Sequence, residues 1–168
     1  TESTDEQTML LKSTSAIEEL VPDYIIITNE ALKPTFQTLA DWKTKKGLPA
    51  IIKTIEEIEP NYPGSDLPEK IRSYLKEAYN KWGASLYILL GGDVNIVPAR
   101  MVNNVRYPSI NGVKPTDLYY TTIGGSWNAN NNNVFGESSD AVDYGPDFIL
   151  GRASIEDLTE GQTFVNKV

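Results

Sequence analysis

The sequence contains no cysteine and no histidine among its 168 residues. Without a thiol or an imidazole, the chain cannot form a Cys–His dyad, a Ser–His–Asp triad or a zinc site with histidine ligands. Disulfides are excluded as well, so the composition fits any redox compartment. Any chemistry made by this chain alone would have to use carboxylates, lysine, tyrosine, serine or threonine.

Long apolar runs and clusters of positive charge are also missing. No apolar stretch approaches the roughly 20 residues that a transmembrane helix needs, so we expect no membrane span. Lys and Arg total 15 against 23 Asp and Glu, which gives a net charge of −8. Since no basic run interrupts this acidic balance, nucleic acid is not expected as a partner. Hydrophobic residues make up 40% of the chain, enough to bury a substantial core.

Apolar segments alternate with amphipathic ones over the first half of the chain. The β-branched runs in "DYIIIT", "LPAIIKTI" and "LYILLGGD" predict three strands buried on both faces. Apolar residues at helical spacing predict one helix before the second strand and another before the third. The first stripe consists of Leu32, Phe36, Leu39 and Trp42, and the second of Leu67, Ile71, Leu75, Ala78 and Trp82. Strands separated by helices indicate right-handed crossovers and a parallel sheet.

The pattern changes after Pro98, where short β-prone pieces surround an Asn111-Gly112 pair that is typical of a tight hairpin turn. A long polar stretch follows, and "PDFILGR" then predicts a fourth buried strand. A last helix is expected with Ser154 as its N-cap and Asp157 three residues on.

We therefore predict an α/β fold of three layers. It has a mostly parallel sheet of about four strands in the order 2-1-3-4, helices on both faces and a β-hairpin excursion. Residues 1–20 are expected to form a flexible or helical N-terminal segment, and residues 21–168 one α/β subdomain.

Gly91, Gly92 and Asp93 directly follow the third predicted strand. Ligands of open α/β sheets bind at the carboxyl ends of such strands, which makes Asp93 a candidate functional carboxylate. The alternative is structural: Asp93 accepts hydrogen bonds from the next amides in an Asx turn. Because the chain has no imidazole or thiol to work with Asp93, we favour the structural loop.

Carboxylates are dense in the polar stretch of the second half. Asp117, Glu137, Asp140 and Asp143 are candidate calcium ligands, because calcium takes six to eight oxygen ligands. Their spacing does not match an EF-hand, and a solvated polar loop is the favoured alternative. Trp127 lies in this stretch and is expected to be partly exposed.

Several segments together resemble the N-terminal part of the gingipain-type cysteine peptidases, which have a caspase-like fold. They are "YIIITNEALKPTFQTLADWKTKKGLPA", "IRSYLKEAYNKWGASLYILLGGDVNIVPAR", "TDLYY" and "GPDFILGRASIEDLTEGQTFVNKV". Each is a generic α/β element, but their order and spacing run from about Tyr24 to the end of the chain. The resemblance implies a catalytic domain of two caspase-like halves.

In that family the catalytic His and Cys and the S1 pocket lie in the second half, which would begin after Val168. The resemblance therefore places no catalytic residue on this sequence. It also implies calcium binding and export to the cell surface or medium. Since the polar N-terminus has no apolar signal core, an exported protein would carry its signal before these residues.

The expected function is that of a non-catalytic N-terminal subdomain of a gingipain-like cysteine endopeptidase, inactive alone. Its partner would be the downstream catalytic half of the same polypeptide, and proteins or peptides would be the parent's substrates. Calcium is the one cofactor considered. One alternative is an independent ligand- or protein-binding α/β module of a secreted protein, and another is a hydrolase that uses carboxylates and a metal. A downstream His-Gly motif and cysteine would support the first hypothesis.

Overall fold

The computed structural model describes residues 21–83, 86–103 and 112–168. The N-terminal segment, residues 1–20, lies outside these ranges, and its expected character stays a prediction. In the described ranges the strands are β1 (Tyr24–Thr28), β2 (Ala50–Thr54), β3 (Tyr87–Gly91), β4 (Arg100–Asn103), β5 (Val113–Thr116) and β6 (Ile149–Ala153). The helices are α1 (Lys33–Lys45), α2 (Ile55–Ile58), α3 (Leu67–Trp82), α4 (Leu118–Thr121) and α5 (Leu158–Val165). None of these described helices is long and apolar enough to cross a membrane.

Four strands form one parallel sheet in the spatial order β2-β1-β3-β6. Because β6 is the fourth strand expected for this sheet, the predicted order 2-1-3-4 is confirmed. Tyr24 of β1 lies between Ala50 of β2 and Tyr87 of β3, and Tyr87 pairs in turn with Ile149 of β6. The three isoleucines of β1 are fully buried. An unbroken apolar run of this kind is typical of a central parallel strand, whose two faces are both covered.

Helices cover both faces of the sheet, as predicted. On one face, Ile71 and Leu75 of α3 pack in the same core as Ile25 of β1. On the opposite face, Phe36 of α1 packs in a second core with Ile26 of β1. Successive side chains of a strand point to opposite faces, so neighbouring isoleucines of β1 belong to different layers.

Local signals in the sequence set the boundaries of the two long helices. Pro34 lies in the first turn of α1, and Gly47, with φ of 88°, follows its end. Asp66 caps α3 by accepting the Glu69 amide at 3.0 Å, and Gly83, with φ of 93°, ends that helix. These are the residue types that helix termini favour.

The start of α5 differs from the prediction. Ser154 is not its N-cap; the helix begins one residue after Asp157, which caps it. Ile155 is held outside the helix, because its amide donates to the Ala153 carbonyl and its carbonyl accepts the Asp93 amide, each at 2.9 Å. A tertiary hydrogen bond therefore moves the helix start by one turn.

The predicted hairpin is present as the antiparallel pair of β4 and β5. Asn103 pairs with Val113, so the connection is centred near residue 108, which lies outside the described residues. Asn111 is likewise outside them. The tight turn expected at Asn111 and Gly112 therefore stays a prediction.

Candidate functional site

The carboxyl ends of β1, β3 and β6 meet at one edge of the sheet, where Gly91 and Gly92 lie between β1 and β6. Thr28 Oγ1 donates to the Gly91 carbonyl at 2.5 Å, and the Gly92 amide donates to the Ala153 carbonyl at 3.0 Å. A Cβ atom on Gly91 would lie 2.6 Å from the Phe36 ring. Gly92 has φ of 151°, a conformation that favours glycine. Close packing against Phe36 therefore requires glycine at position 91, and the backbone conformation requires glycine at position 92.

Asp93 uses both carboxylate oxygens within its own loop. Its Oδ1 accepts the Asn95 amide at 2.8 Å and the Ile96 amide at 3.3 Å, and its Oδ2 accepts Asn95 Nδ2 at 2.9 Å. This is the arrangement of an Asx turn. The carboxylate orders the backbone that follows β3, and the chain offers it no imidazole or thiol as a catalytic partner.

Arg152 of β6 joins this loop to the segment before α4. Its Nε and Nη2 donate to the two carboxylate oxygens of Asp117, both at 2.7 Å. Its Nη1 donates to the carbonyls of Gly92 and Val97, both at 2.8 Å. A bidentate pair of this kind fixes orientation as well as distance. Asp117, a candidate calcium ligand, is therefore held by a guanidinium.

A second bidentate pair joins Arg100 of β4 to Asp66, the N-cap of α3. The Arg100 Nη atoms donate to the two carboxylate oxygens at 2.7 and 2.6 Å. The guanidinium is almost fully buried and lies over the rings of Tyr119 and Phe135. Burial raises the pKa of Asp66, but the hydrogen bonds from Arg100 and from the Glu69 amide outweigh it and hold that pKa below its usual range.

Two of the candidate calcium ligands lie in the same turn of the polar loop. Asp140 is fully buried, and its carboxylate accepts the amides of Ala129 at 2.9 Å and Glu137 at 2.8 Å. The Glu137 carboxylate accepts the side-chain amides of Asn130 at 3.2 Å and Asn132 at 2.6 Å. Both carboxylates thus satisfy amide donors of the loop itself.

The other two candidates stand apart from this turn. Asp143 accepts the Gly145 amide at 2.9 Å, and Asp117 is bound to Arg152. Over the part of the chain that the structure describes, no three Asp, Glu, His or Cys side chains form a group that could hold a metal ion. Calcium binding by this loop remains a prediction.

Two tryptophans depart from their expected environments. Trp127 is buried rather than partly exposed: its indole N–H donates to Thr122 Oγ1 at 3.1 Å, and its ring meets the Tyr119 ring edge-on. Trp42, expected in the buried stripe of α1, is 40% exposed, and the ammonium of Lys43 lies 5.1 Å from its ring centroid. The apparently irregular loop therefore contributes an aromatic anchor to the core.

A cavity of about 330 Å³ opens between α3, α4 and the polar loop. Arg72 and Lys76 of α3 line it, together with the aromatic side chains of Tyr119, Trp127 and Phe135. The two cations were not predicted to line a cavity, because a charged residue beside the apolar stripe of a helix usually lies at the solvent boundary. Their spacing of four residues was the signal available, since it places both on one helix face.

Two buried tyrosines have raised phenol pKa values. Burial raises the pKa values of Tyr74 and Tyr120 above the usual range for a phenol. The Tyr120 hydroxyl donates to the Pro98 carbonyl. Both phenols therefore stay protonated at neutral pH, and neither offers a general base.

Comparison with known proteins gives a family match over most of the chain. A family model described as peptidase family C25 matches residues 17–168. No curated protein matches the chain.

Solved structures share the fold. The crystal structure of gingipain R, an Arg-specific cysteine proteinase, is 24% identical with a TM-score of 0.63, over 89% of this chain and 28% of its own. Dimeric latent PorU from Porphyromonas gingivalis is 19% identical with a TM-score of 0.67, over 89% of this chain and 15% of its own. A third structure, described as a protease, is 16% identical with a TM-score of 0.62, over 94% of this chain and 30% of its own. The chain thus spans less than a third of each.

Proposed function

The chain belongs to peptidase family C25, and on that premise we propose that it is the non-catalytic N-terminal subdomain of a gingipain-like cysteine endopeptidase. The observation that carries the proposal is the complete lack of cysteine and histidine. A cysteine peptidase needs a thiolate and a base to form it, so both must come from outside these residues. The similarity to only 28% of gingipain R leaves room for them elsewhere in a parent protein.

We assign to this subdomain the role of a rigid support. A catalytic group has to be held to within about 0.5 Å, which requires a well-packed neighbour. The loop of Gly91, Gly92 and Asp93 suits that role, because its glycines fit close contacts and its carboxylate is committed to an Asx turn. Arg152 ties the same loop to Asp117 across the sheet edge.

We infer a docking surface for the remainder of the parent at the amino ends of the strands. Tyr87 of β3 is 39% exposed, and its register partner Ile149 of β6 is 62% exposed. Tyr24 stacks on Tyr87 with the ring centroids 6.2 Å apart, and Gly151 is also exposed. Tyr87, Ile149 and Gly151 lie on the same face of the sheet and form one exposed strip. We name it the β3–β6 strip. Tyr24 borders this strip and packs partly against the core between α1 and the sheet. Contiguous apolar surface of this kind is typical of protein contacts.

The apolar side chains on and just before α5 are largely used within the subdomain. Ile155 is buried, and Phe164 and Val165 pack against the core between α1 and the sheet. Leu158 is 54% exposed and remains available. We therefore place the contact on the β3–β6 strip.

The experiment introduces Ile149→Lys into the full-length parent protein and measures hydrolysis of peptide substrates. Ile149 is exposed in this chain, so the substitution should leave the folded subdomain intact but place a charge in the proposed contact. We expect a marked loss of parent activity, whereas Val113→Lys, at an equally exposed residue of β5 (57%), should retain it. Full activity of Ile149→Lys would overturn the docking role.

The resemblance also supports a parent that is secreted or on the cell surface and acts on proteins or peptides, and we include both in the proposal. An independent binding module is the second candidate function, and the cavity beside Arg72 is the observation that favours it. Sequence after Val168 separates the two, because a downstream His-Gly motif and cysteine are required by the first.

A further inference from the structure

Arg72 is a buried cation that the support role does not use. It lies in the middle of α3 with 7% of its surface exposed. Its Nε donates to the carbonyls of Tyr119 at 3.1 Å and Thr122 at 3.0 Å, and its Nη2 donates to the Gly124 carbonyl at 2.9 Å. These acceptors are neutral. They satisfy hydrogen bonds, but they form no ion pair with the guanidinium.

Two other inward-facing arginines of the described residues have the ion-pair partner that Arg72 lacks. Arg100 and Arg152 each hold a carboxylate by two hydrogen bonds. No carboxylate of the described residues lies within 4.0 Å of the Arg72 guanidinium. Burial accordingly lowers the pKa of Arg72. The charges of Asp147 and Glu69 act on Arg72, but neither forms an ion pair with it. Because a buried charge without an ion-pair partner is disfavoured, this environment suits an anion supplied from outside.

Lys76 lies one helical turn beyond Arg72 and lines the same cavity. It makes no ion pair with any residue that the structure describes. Burial, and then the charge of Arg72, lower the pKa of Lys76. Like charges four residues apart destabilise a helix. Two adjacent cations facing one cavity, in a chain of net charge −8, therefore mark a local site for negative charge.

The remaining walls suit a small organic ligand. Tyr119, Trp127 and Phe135 supply aromatic surface, and Asn128 and Ser126 add polar groups. The volume of about 330 Å³ falls at the lower end of the range for small-molecule sites. The accessible part of the lining is more polar than apolar, which suits a ligand with a charged group.

Among the described residues that line the cavity, Glu69 is the acidic one, and its carboxylate binds Ser65. Its Oε2 accepts the Ser65 amide at 2.7 Å and the Ser65 hydroxyl at 2.8 Å. Glu69 therefore places negative charge at one end of the cavity, and Lys76, seven residues further along α3, places positive charge at the other. An anionic group would therefore bind at the Arg72 and Lys76 end.

We propose that this cavity binds a carboxylate, with the anionic group between Arg72 and Lys76 and the organic part against Trp127 and Tyr119. The carboxylate belongs either to a free organic acid or to an acidic side chain of a peptide. A planar carboxylate suits the guanidinium, whose Nη1 takes no part in the hydrogen bonds to the three carbonyls. This site lies on α3, on the opposite face of the sheet from the β3–β6 strip, and does not depend on the support role.

The test is an NMR titration of the chain, followed at the indole N–H of Trp127. The probes are glutarate, N-acetylglutamate amide, N-acetylglutamine amide and inorganic phosphate. We expect a saturable shift with one or both carboxylates and none with the glutamine compound. Tighter binding of glutarate would indicate a free acid as the ligand, and tighter binding of the blocked glutamate would indicate a peptide side chain.

Three variants locate the binding. Lys76→Gln should weaken carboxylate affinity roughly tenfold, the usual scale of one charge-assisted hydrogen bond. Lys70→Gln makes the same change on α3 outside the cavity lining and should bind as the wild type does. Arg72→Gln should abolish binding. If Arg72→Gln fails to fold, the comparison of Lys76→Gln with Lys70→Gln still tests the proposal. No saturable shift in the wild type, unchanged affinity in Lys76→Gln, or phosphate binding equal to the carboxylates would overturn the proposal.

Discussion

At the scale of single residues, two arginines connect segments that are distant in sequence. Arg100 fastens β4 to the N-cap of α3, and Arg152 fastens β6 to the start of α4. Each uses the planar fork of the guanidinium on a single carboxylate, which a lysine could not reproduce. Removing one member of such a pair should cost more stability than the pair contributes, because the remaining charge is left partly buried.

Asp117→Asn tests this for the Arg152 pair. The substitution keeps the shape and one acceptor oxygen of the side chain but removes its charge, so the bidentate ion pair is lost. Arg152 keeps its carbonyl acceptors at Gly92 and Val97. We expect the free energy of unfolding to fall by about 1–3 kcal/mol in urea denaturation. Asp41→Asn, on the exposed face of α1, should change it by no more than about 0.5 kcal/mol. Equal midpoints for the two variants would contradict the structural role of the pair.

Asp66 makes stability depend on pH. Its pKa is lower in the folded state than in the unfolded chain. The carboxylate therefore stabilises the fold above the unfolded pKa of about 4, and that stabilisation is lost as pH falls through the folded pKa. Urea unfolding at pH 6 and pH 3 should show a smaller acid-induced loss for Asp66→Asn than for the wild type. Asparagine remains a good N-cap, so the comparison isolates the charge. Identical losses for both proteins would argue against this origin.

At the scale of elements, the sequence predicted the strands and the long helices because their signals are local. The β-branched run of β1 and the cap residue Asp66 act within a few positions of themselves. The short helix α2 was missed, although Thr54 and Glu57 form a capping box that the sequence displays. The start of α5 could not be found this way, since it depends on the hydrogen bond between Ile155 and Asp93.

Two strand glycines offer a matched test of element packing. In Gly91→Ala of β3, the new Cβ would meet the Phe36 ring at 2.6 Å, whereas in Gly151→Ala of the adjacent β6 it would meet nothing within 4 Å. We expect Gly91→Ala to lower the free energy of unfolding by about 1–3 kcal/mol through overpacking. Gly151→Ala should stay within about 0.5 kcal/mol of the wild type. Thermal or urea unfolding measures both, and equal stability would show that α1 shifts without cost.

The loop between Asp117 and Asp147 carries the calcium prediction. Its carboxylates already accept amide and guanidinium donors, so an ion would have to replace contacts such as those of Asp140. A ligand that binds the native state alone raises the melting temperature. Calcium binding predicts a higher midpoint in calcium than in chelator, and a smaller difference in Asp143→Asn. Coincident midpoints for the wild type would leave the solvated polar loop as the correct interpretation.

At the scale of the whole molecule, fold and site differed in how far the sequence could predict them. The parallel sheet follows from the alternation of strands and helices, which local sequence patterns predict. The cavity is not, because it joins Lys76 on α3 to Trp127, about fifty positions away in a loop without periodicity. Trp127 was expected at the surface for that reason. Long-range convergence of this kind depends on the finished fold rather than on any local pattern.

The last prediction concerns catalysis by the chain as a whole: purified residues 1–168 should not hydrolyse peptides. With neither thiol nor imidazole, the chain lacks the groups from which a cysteine peptidase makes its nucleophile and base. Steady turnover of a panel of fluorogenic peptides is the measurement. Any activity abolished by a thiol alkylator would come from a contaminant, because this chain has no thiol to alkylate. Turnover that survives alkylation and disappears in Asp93→Asn would instead show that the Asx-turn carboxylate is catalytic, and the support role would have to be abandoned.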